Sequence, residues 1–226
     1  MLAEALHLLE QAAEPGVAEG MPRFGIATAD RVIGIKVGTI RSIAKKLGRD
    51  QALAEALWDS GVYEARLLAC FVADPEALTA ESMDRWAAGF DNWATCDTAC
   101  FDLFDKSPLA WDAVQRWAGD EREFVRRAAF ALLAGLALHA KKLGDTPFLE
   151  ALPLVEAYAS DDRNFVKKGV SWALRAIGMR NPALHAAASE LAERLSASPA
   201  SAARWIGRDA ARDLARPAAR RKAGLT

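Results

Sequence analysis

Apolar residues along the chain recur every three to four positions rather than at every second position. In the segment TIRSIAKKLG, for example, Ile40, Ile43 and Leu47 fall on one side of a helix, and Gly48 ends the pattern. No segment alternates at period two for long enough to indicate a strand. The pattern therefore predicts an all-α protein with one loop-rich region, residues 15–39, where glycine is frequent.

Two segments align with each other without a gap at an offset of 41 residues, namely residues 120–133 and residues 161–174. Looser copies precede and follow this pair, and there is room for another helix between successive copies. Together the copies place one charged residue in the first turns of each of five apolar helices: Arg66, Asp97, Arg127, Lys168 and Arg204. Helical pairs at such spacing are typical of HEAT-like helical-repeat solenoids, which are α-α superhelices. We predict one solenoid domain over residues 1–226 with about six pairs, and we expect the basic segment 216–226 to fray.

These five charged residues, hereafter the row, are expected to lie on one concave surface. In a stack of helical pairs the second helices line that surface, so equivalent positions line up. The row is cationic except for Asp97. A concave basic groove fits the phosphate backbone of a nucleic acid. The single carboxylate repels the ligand that its neighbours attract, which marks Asp97 as a candidate functional residue.

The net charge of −1 conceals a division of charge along the chain. Residues 50–123 contain 16 Asp and Glu against 5 Lys and Arg. Residues 36–49 contain five cations and no acid, and residues 204–222 contain seven cations and two acids. A basic surface divided from an acidic one indicates an anionic partner, although solvated helix faces are the alternative for any single cluster.

The same sequence indicates where the protein acts. No apolar run approaches the roughly 18 residues that span a bilayer, and the N-terminal segment reads as an amphipathic helix rather than a signal peptide. Three cysteines without paired spacing fit a reduced compartment. We expect a cytoplasmic protein.

Trp93 and Asp97 are four residues apart and therefore share one face of a helix. A carboxylate beside an indole could stabilise positive charge that develops on a bound ligand, as in glycoside hydrolysis. The alternatives are that Asp97 caps a helix or pairs with Arg127. Arg126 and Arg127 could hold a phosphate bidentately or form structural ion pairs.

The remaining candidates also have two interpretations each. Trp172 could wall a groove or pack in the core, and Lys168 could contact phosphate or be a solvated charge. Cys96 and Cys100 have no nearby histidine, so core packing is favoured over a zinc site. The chain lacks both the phosphate-binding loop and the dinucleotide-binding pattern, so no nucleotide cofactor and no metal are expected.

Several segments taken together resemble the AlkD-like DNA alkylation repair proteins, the HEAT-like-repeat DNA glycosylases, over roughly residues 20–214: GIKVGTIRSIAKKLG, LWDSGVYEARLLA, DNWATCD, FVRRAAFALL and NFVKKGVSWALRAIG. The resemblance implies a monofunctional DNA glycosylase, a hydrolase of N-glycosyl bonds that requires no cofactor. Its partner would be duplex DNA containing alkylated bases, from which it would excise cationic N3- and N7-alkylated purines. It would work as a monomer and associate with the bacterial nucleoid while it acts.

The resemblance also implies roles for individual residues. Trp93, Asp97 and Arg127 match the family's residues at the lesion nucleotide, and Asp97 would stabilise an oxocarbenium-like transition state, position the attacking water, or do both. Trp172 matches a tryptophan that lines the groove. With the residues of the basic surface, the predicted DNA-binding set is Trp172, Lys168, Arg126, Phe24, Arg66 and Arg204.

Two positions depart from the family pattern. Phe24 stands where an active member can have a tyrosine, and Ala94 follows Trp93 where an aspartate is frequent. Some relatives without the catalytic pair bind DNA without excising bases. The sequence therefore leaves two alternatives to a glycosylase, a non-catalytic HEAT-repeat DNA-binding module and a protein-interaction scaffold.

Overall fold

The protein was examined as a computed structural model that describes residues 1–225. Over these residues the chain forms fourteen α-helices, three short 3-10 helices and no strand, which confirms the all-α prediction. The α-helices are α1 (Leu2–Gln11), α2 (Val17–Gly20), α3 (Val37–Leu47), α4 (Gln51–Trp58), α5 (Tyr63–Val72), α6 (Ala80–Ala88), α7 (Trp93–Asp102), α8 (Ala110–Ala118), α9 (Glu123–His139), α10 (Thr146–Ala157), α11 (Asn164–Gly178), α12 (Pro182–Ser196), α13 (Ser201–Leu214) and α14 (Pro217–Lys222). The 3-10 helices are Met21–Phe24, Pro75–Ala77 and Phe104–Lys106.

The chain divides into two compact units. The first unit is Met1–Leu109 and holds α1 to α7, and the second begins at Ala110 and holds α8 to α14. The sequence predicts one continuous solenoid over residues 1–226, and that continuity stays a prediction. Residue 226 lies outside the described residues.

Each unit contains the predicted alternation of first and second helices. In the first unit α5 packs beside both α3 and α7, and in the second unit α11 packs beside both α9 and α13. The row residues occupy the fourth or fifth position of α5, α7, α9, α11 and α13, as their spacing predicts. The gapless repeat has a physical counterpart, since the aligned Phe124 and Phe165 rings lie 5.1 Å apart between centroids.

Short polar signals set several helix starts. The Thr79 side chain accepts a hydrogen bond from the Ser82 amide, and the Ser82 hydroxyl accepts one from the Thr79 amide, so α6 begins with a capping box. Asp50 caps α4 and Asn181 caps α12 through the same kind of side-chain acceptor.

Each unit is stabilised internally by its own kind of packing. In the first unit the rings of Trp58 and Trp86 stack with centroids 4.2 Å apart. In the second unit α12 and α13 approach so closely that a Cβ at Gly207 would lie 2.3 Å from the Ser196 nitrogen and 2.5 Å from the Ala192 oxygen. Backbone atoms cannot yield at such distances, so this crossing requires glycine.

The C-terminal basic segment forms more structure than expected. Instead of fraying from residue 216, the chain forms α14, with Pro217 at its first position, where proline is favoured. Ala219 and Ala223 are buried, and α14 packs against α13. Small apolar side chains spaced by four residues give the basic helix one face that can be buried.

Candidate nucleic-acid interface

The start of α7 carries the two residues that the sequence singled out. The buried Asn92 side chain accepts a hydrogen bond from the Thr95 amide at 3.0 Å and so caps the helix. Trp93 is the first helical residue, and Asp97 follows one turn later on the same face. Both are partly exposed. Because Asn92 is the cap, the alternative that Asp97 caps this helix is wrong.

Trp93 connects α7 to the loop-rich segment near the N-terminus. Its indole nitrogen donates a hydrogen bond to the main-chain carbonyl oxygen of Phe24 at 3.0 Å. The Phe24 side chain itself is 69% exposed at the end of the 3-10 helix Met21–Phe24. The first unit therefore brings the backbone of the predicted Phe24 next to Trp93.

Asp91 was not identified from the sequence, although it organises this region. Its carboxylate accepts hydrogen bonds from the Thr28 hydroxyl at 2.7 Å and the Ala29 amide at 2.8 Å, and a third from the Asn92 side chain at 2.7 Å. The loop after Phe24 is thereby fastened to the residue before the α7 cap. The signal that could have identified it is the Asp-Asn pair directly before a helix, because both residue types bind nearby backbone amides.

A second buried acid fastens the same loop to α5. Glu64 is almost fully buried, and its two carboxylate oxygens accept hydrogen bonds from the amides of Ile33 at 2.9 Å and Gly34 at 2.7 Å. A carboxylate that binds two amides holds a loop that has little other regular structure. The segment that carries Phe24 is therefore fixed at two places.

Arg66 lies at its predicted position in α5, but its guanidinium is bound to other groups of the first unit. Its guanidinium donates to the Gly89 carbonyl oxygen at 2.7 Å, lies 2.9 Å from the Asp30 carboxylate and stacks over Trp58. Burial raises the pKa of the Asp30 carboxyl above its usual value, although the Arg66 charge acts in the opposite direction. These contacts give Arg66 a structural role, and its contact with phosphate stays a prediction.

The basic segment 36–49 lines a separate cavity of about 350 Å³ in the first unit. Arg41 forms a bidentate pair with Asp102 at 2.7 and 2.8 Å and stacks on Phe71. Lys45 and Lys46 lie in the last turn of α3, where the helix dipole favours positive charge. Part of the positive charge of this segment is therefore balanced within the protein, by the Asp102 carboxylate and by the C-terminal end of α3.

In the second unit Arg127 is buried, with 6% of its surface exposed. It lies at the fifth position of α9, and its guanidinium donates to the Phe165 carbonyl oxygen at 2.7 Å. The acceptor is in the first turn of α11, so Arg127 joins two second helices. This placement leaves the guanidinium close to the surface but not widely open to solvent.

Arg126 belongs to a buried ionic network around Asp161. The Asp161 carboxylate accepts a hydrogen bond from Arg126 at 2.6 Å and two from Arg163, at 2.9 and 2.5 Å. Burial raises the pKa of Asp161, but the bonds from Arg163 and Arg126 outweigh it and lower the pKa to about 2. The structural ion pair that the sequence left open for Arg126 is therefore present, and its phosphate contact stays a prediction.

The other predicted DNA-binding residues differ in exposure. Lys168 is exposed and has no ion-pair partner within residues 1–225. Trp172 follows it by one turn on α11 and is partly exposed. Arg204 donates to the carbonyl oxygens of Ser198 at 2.8 Å and Pro199 at 3.0 Å, at the start of α13.

The three cysteines are free thiols buried in the first unit. Cys96 and Cys100 have no exposed surface and pack on the inner face of α7, which is the core packing that the sequence favoured. Burial raises the pKa of the Cys70 thiol well above its usual range. No cluster of three or more potential metal ligands occurs in the described part of the chain, and no helix there is both long and apolar enough to cross a membrane.

The first unit thus brings together Trp93, Asp97 and Phe24, and it holds Arg66 in separate internal contacts. The second unit joins Arg127 to the first turn of α11, the helix that carries Lys168 and Trp172. That these two groups face the same ligand stays a prediction.

Comparison with known proteins identifies the family and supports the fold. Residues 5–214 match the model of a family described as DNA alkylation repair enzyme. A solved structure from "a new family of proteins related to the HEAT-like repeat DNA glycosylases with affinity for branched DNA structures" is similar over 100% of this chain and 97% of that one, with a TM-score of 0.79 and 20% identity. No curated protein matches the sequence. Because the family model covers most of its length, the chain belongs to the DNA alkylation repair enzyme family.

Proposed function

We propose that the protein is a monofunctional DNA glycosylase that excises cationic N3- and N7-alkylated purines from duplex DNA, with Asp97 as its central residue. An alkylated purine carries a positive charge, so it leaves readily with the electron pair of the N-glycosidic bond. The sugar then gains cationic character. Water attacks its C1′ carbon and loses a proton, which leaves an abasic site and the free base.

The residues of α7 supply what this reaction needs. A carboxylate stabilises the positive charge on the sugar and can orient the water. The Trp93 indole offers an aromatic face to the same charge. No lysine Schiff base is required.

One observation carries the proposal. Asp97 is partly exposed on the same face of α7 as Trp93, and Asn92, not Asp97, caps this helix. Membership of the DNA alkylation repair enzyme family supports the reaction class. The predicted roles of Arg127, Trp172 and the other cations belong to the same proposal.

The test is release of the base from duplex DNA that contains N7-methylguanine. We expect release by the wild type and a loss of at least about a hundredfold in Asp97→Asn, the size of effect seen when one charge-stabilising group is removed. Asp102→Asn is the matched control, because it removes a carboxylate from the same helix whose partner is the surface residue Arg41. Equal release by Asp97→Asn and the wild type would refute the role of Asp97.

A second candidate is a DNA-binding protein that does not excise bases. It is favoured by the engagement of Arg127, whose guanidinium is buried against the Phe165 carbonyl oxygen, and by Phe24 and Ala94, where the sequence departs from the family pattern. This candidate predicts salt-sensitive DNA binding with no base released at high enzyme excess. The release assay therefore separates the two.

A further inference from the structure

Trp205 is an exposed tryptophan on α13, with 39% of its surface accessible. It lies in a stripe along one face of the helix, and the side chains of this stripe line a cavity of about 260 Å³: Ser201, Arg204, Trp205, Arg208, Asp209 and Arg212. A large indole is usually packed away from water with its nitrogen hydrogen-bonded. Here it stands in an open cavity with three arginines.

The charges around this indole are predominantly positive. The Lys167 ammonium lies over the Trp205 ring, 5.0 Å from its centroid. Arg208 is exposed and has no ion-pair partner in the described residues. Two cations beside the indole are therefore available to an anion.

The one acid of the stripe is already compensated. Asp209 accepts hydrogen bonds from the Ser171 hydroxyl at 2.7 Å and from Arg212 at 2.5 Å, and Arg175 lies 3.7 Å from it. The negative charge of Asp209 is thus balanced by arginines of the second unit. The stripe presents an aromatic surface and net positive charge to the solvent.

A nucleotide in a single strand has the complementary features, a flat base and a phosphate. A base inside a duplex already stacks on both faces and has no face to offer to an indole. We propose that Trp205, Lys167 and Arg208 bind an unpaired nucleotide of DNA, with the base against the indole, the flexible Lys167 side chain moved off the ring, and the phosphate between the two cations. This inference rests on the proposed DNA-binding function but does not require base excision.

The experiment compares two fluorescein-labelled probes by anisotropy, a short oligothymidine strand and a blunt-ended DNA duplex without unpaired nucleotides. We expect Trp205→Ala to weaken binding of oligothymidine about tenfold, as for loss of one stacked base, and to leave duplex binding unchanged. Trp205→Phe should keep much of the affinity because it keeps an aromatic face. Arg208→Ala should also weaken oligothymidine binding.

Leu149→Ala is the matched control, since Leu149 is an exposed apolar residue on α10 in the same unit. It should change neither affinity. Unchanged oligothymidine binding in Trp205→Ala, or an equal loss for both probes, would overturn the site. A wild type that binds the duplex but not oligothymidine would overturn this inference alone, whereas a wild type that binds neither probe would overturn the proposed function as well.

Discussion

The indole nitrogen of Trp93 donates a hydrogen bond to the main-chain carbonyl oxygen of Phe24 at 3.0 Å, across 69 residues of sequence. This bond joins the first residue of α7 to the end of the 3-10 helix Met21–Phe24. It brings the backbone of Phe24, whose side chain is exposed, to the helix that carries Asp97. The position of Phe24 is therefore set through its backbone and not through its side chain.

Trp93→Phe is expected to destabilise this junction, because it removes the indole N–H and keeps a large aromatic ring. The loss should be about 1 kcal/mol of unfolding free energy, the net value of one hydrogen bond, with faster amide exchange in the segment around Phe24. Urea unfolding and hydrogen exchange measure the two effects. Phe24→Ala is the control and should leave stability unchanged, since the acceptor is the carbonyl and the side chain is exposed. Equal effects of both variants would contradict the assignment.

Lys168→Ala is expected to weaken DNA binding equally for all sequences. Lys168 is exposed and unpaired among residues 1–225, so a phosphate that it contacts would release its counterion. The slope of log affinity against log salt concentration should fall in magnitude by about 0.9 for that one phosphate. Lys142→Ala, in the exposed loop after α9, should leave the slope unchanged. An unaltered slope in Lys168→Ala would remove Lys168 from the interface.

Stability should depend on pH through Asp161. Its pKa in the folded protein is about 2, held there by Arg163 and Arg126 against the effect of burial, whereas an unfolded aspartate titrates near ~3.9. As the pH falls, the unfolded chain takes up the proton first. The stabilisation is therefore complete above about pH 4 and is lost as the pH falls toward 2.

Asp161→Asn tests this dependence in urea unfolding between neutral and acidic pH. The difference in unfolding free energy from the wild type, roughly 1 kcal/mol after allowance for solvent screening, should shrink as the solution is acidified. Asp162→Asn, an exposed neighbour, should show no such trend. A difference that stays constant down to the lowest pH would show that the charge of Asp161 does not stabilise the fold.

Gly207→Ala should be among the most destabilising small substitutions in the second unit. The added methyl would meet the backbone of α12 at 2.3 Å, and backbone atoms of a packed helix cannot move aside cheaply. We expect a loss of about 3 kcal/mol, the upper end for overpacking, seen as a lower melting temperature or a loss of soluble protein. Gly38→Ala has nothing within 4 Å of the new methyl and should raise stability by about 0.5–1 kcal/mol. A melting temperature for Gly207→Ala equal to that of the wild type would contradict the close crossing.

The local signals in the sequence were reliable because they act within one turn of a helix. The 3.6-residue period located the helices, and the Thr79 and Ser82 capping box that starts α6 is equally local. The 41-residue offset between Phe124 and Phe165 became a ring contact. The same local reasoning failed at the C-terminus, where charge suggested fraying and the buried Ala219 favours a helix.

The sequence by itself determined the all-α class, the alternation of helices and the placement of one charged residue early in each second helix. Only the tertiary structure decided which groups the candidate residues touch: Asp30 and the Gly89 carbonyl for Arg66, Asp161 for Arg126, the Phe165 carbonyl for Arg127, and the Phe24 carbonyl for Trp93. Helix period and capping are set by neighbouring residues, so a pattern in the chain records them. A contact across many residues, often to a carbonyl oxygen that every residue carries, leaves no such pattern and is chosen when the helices pack.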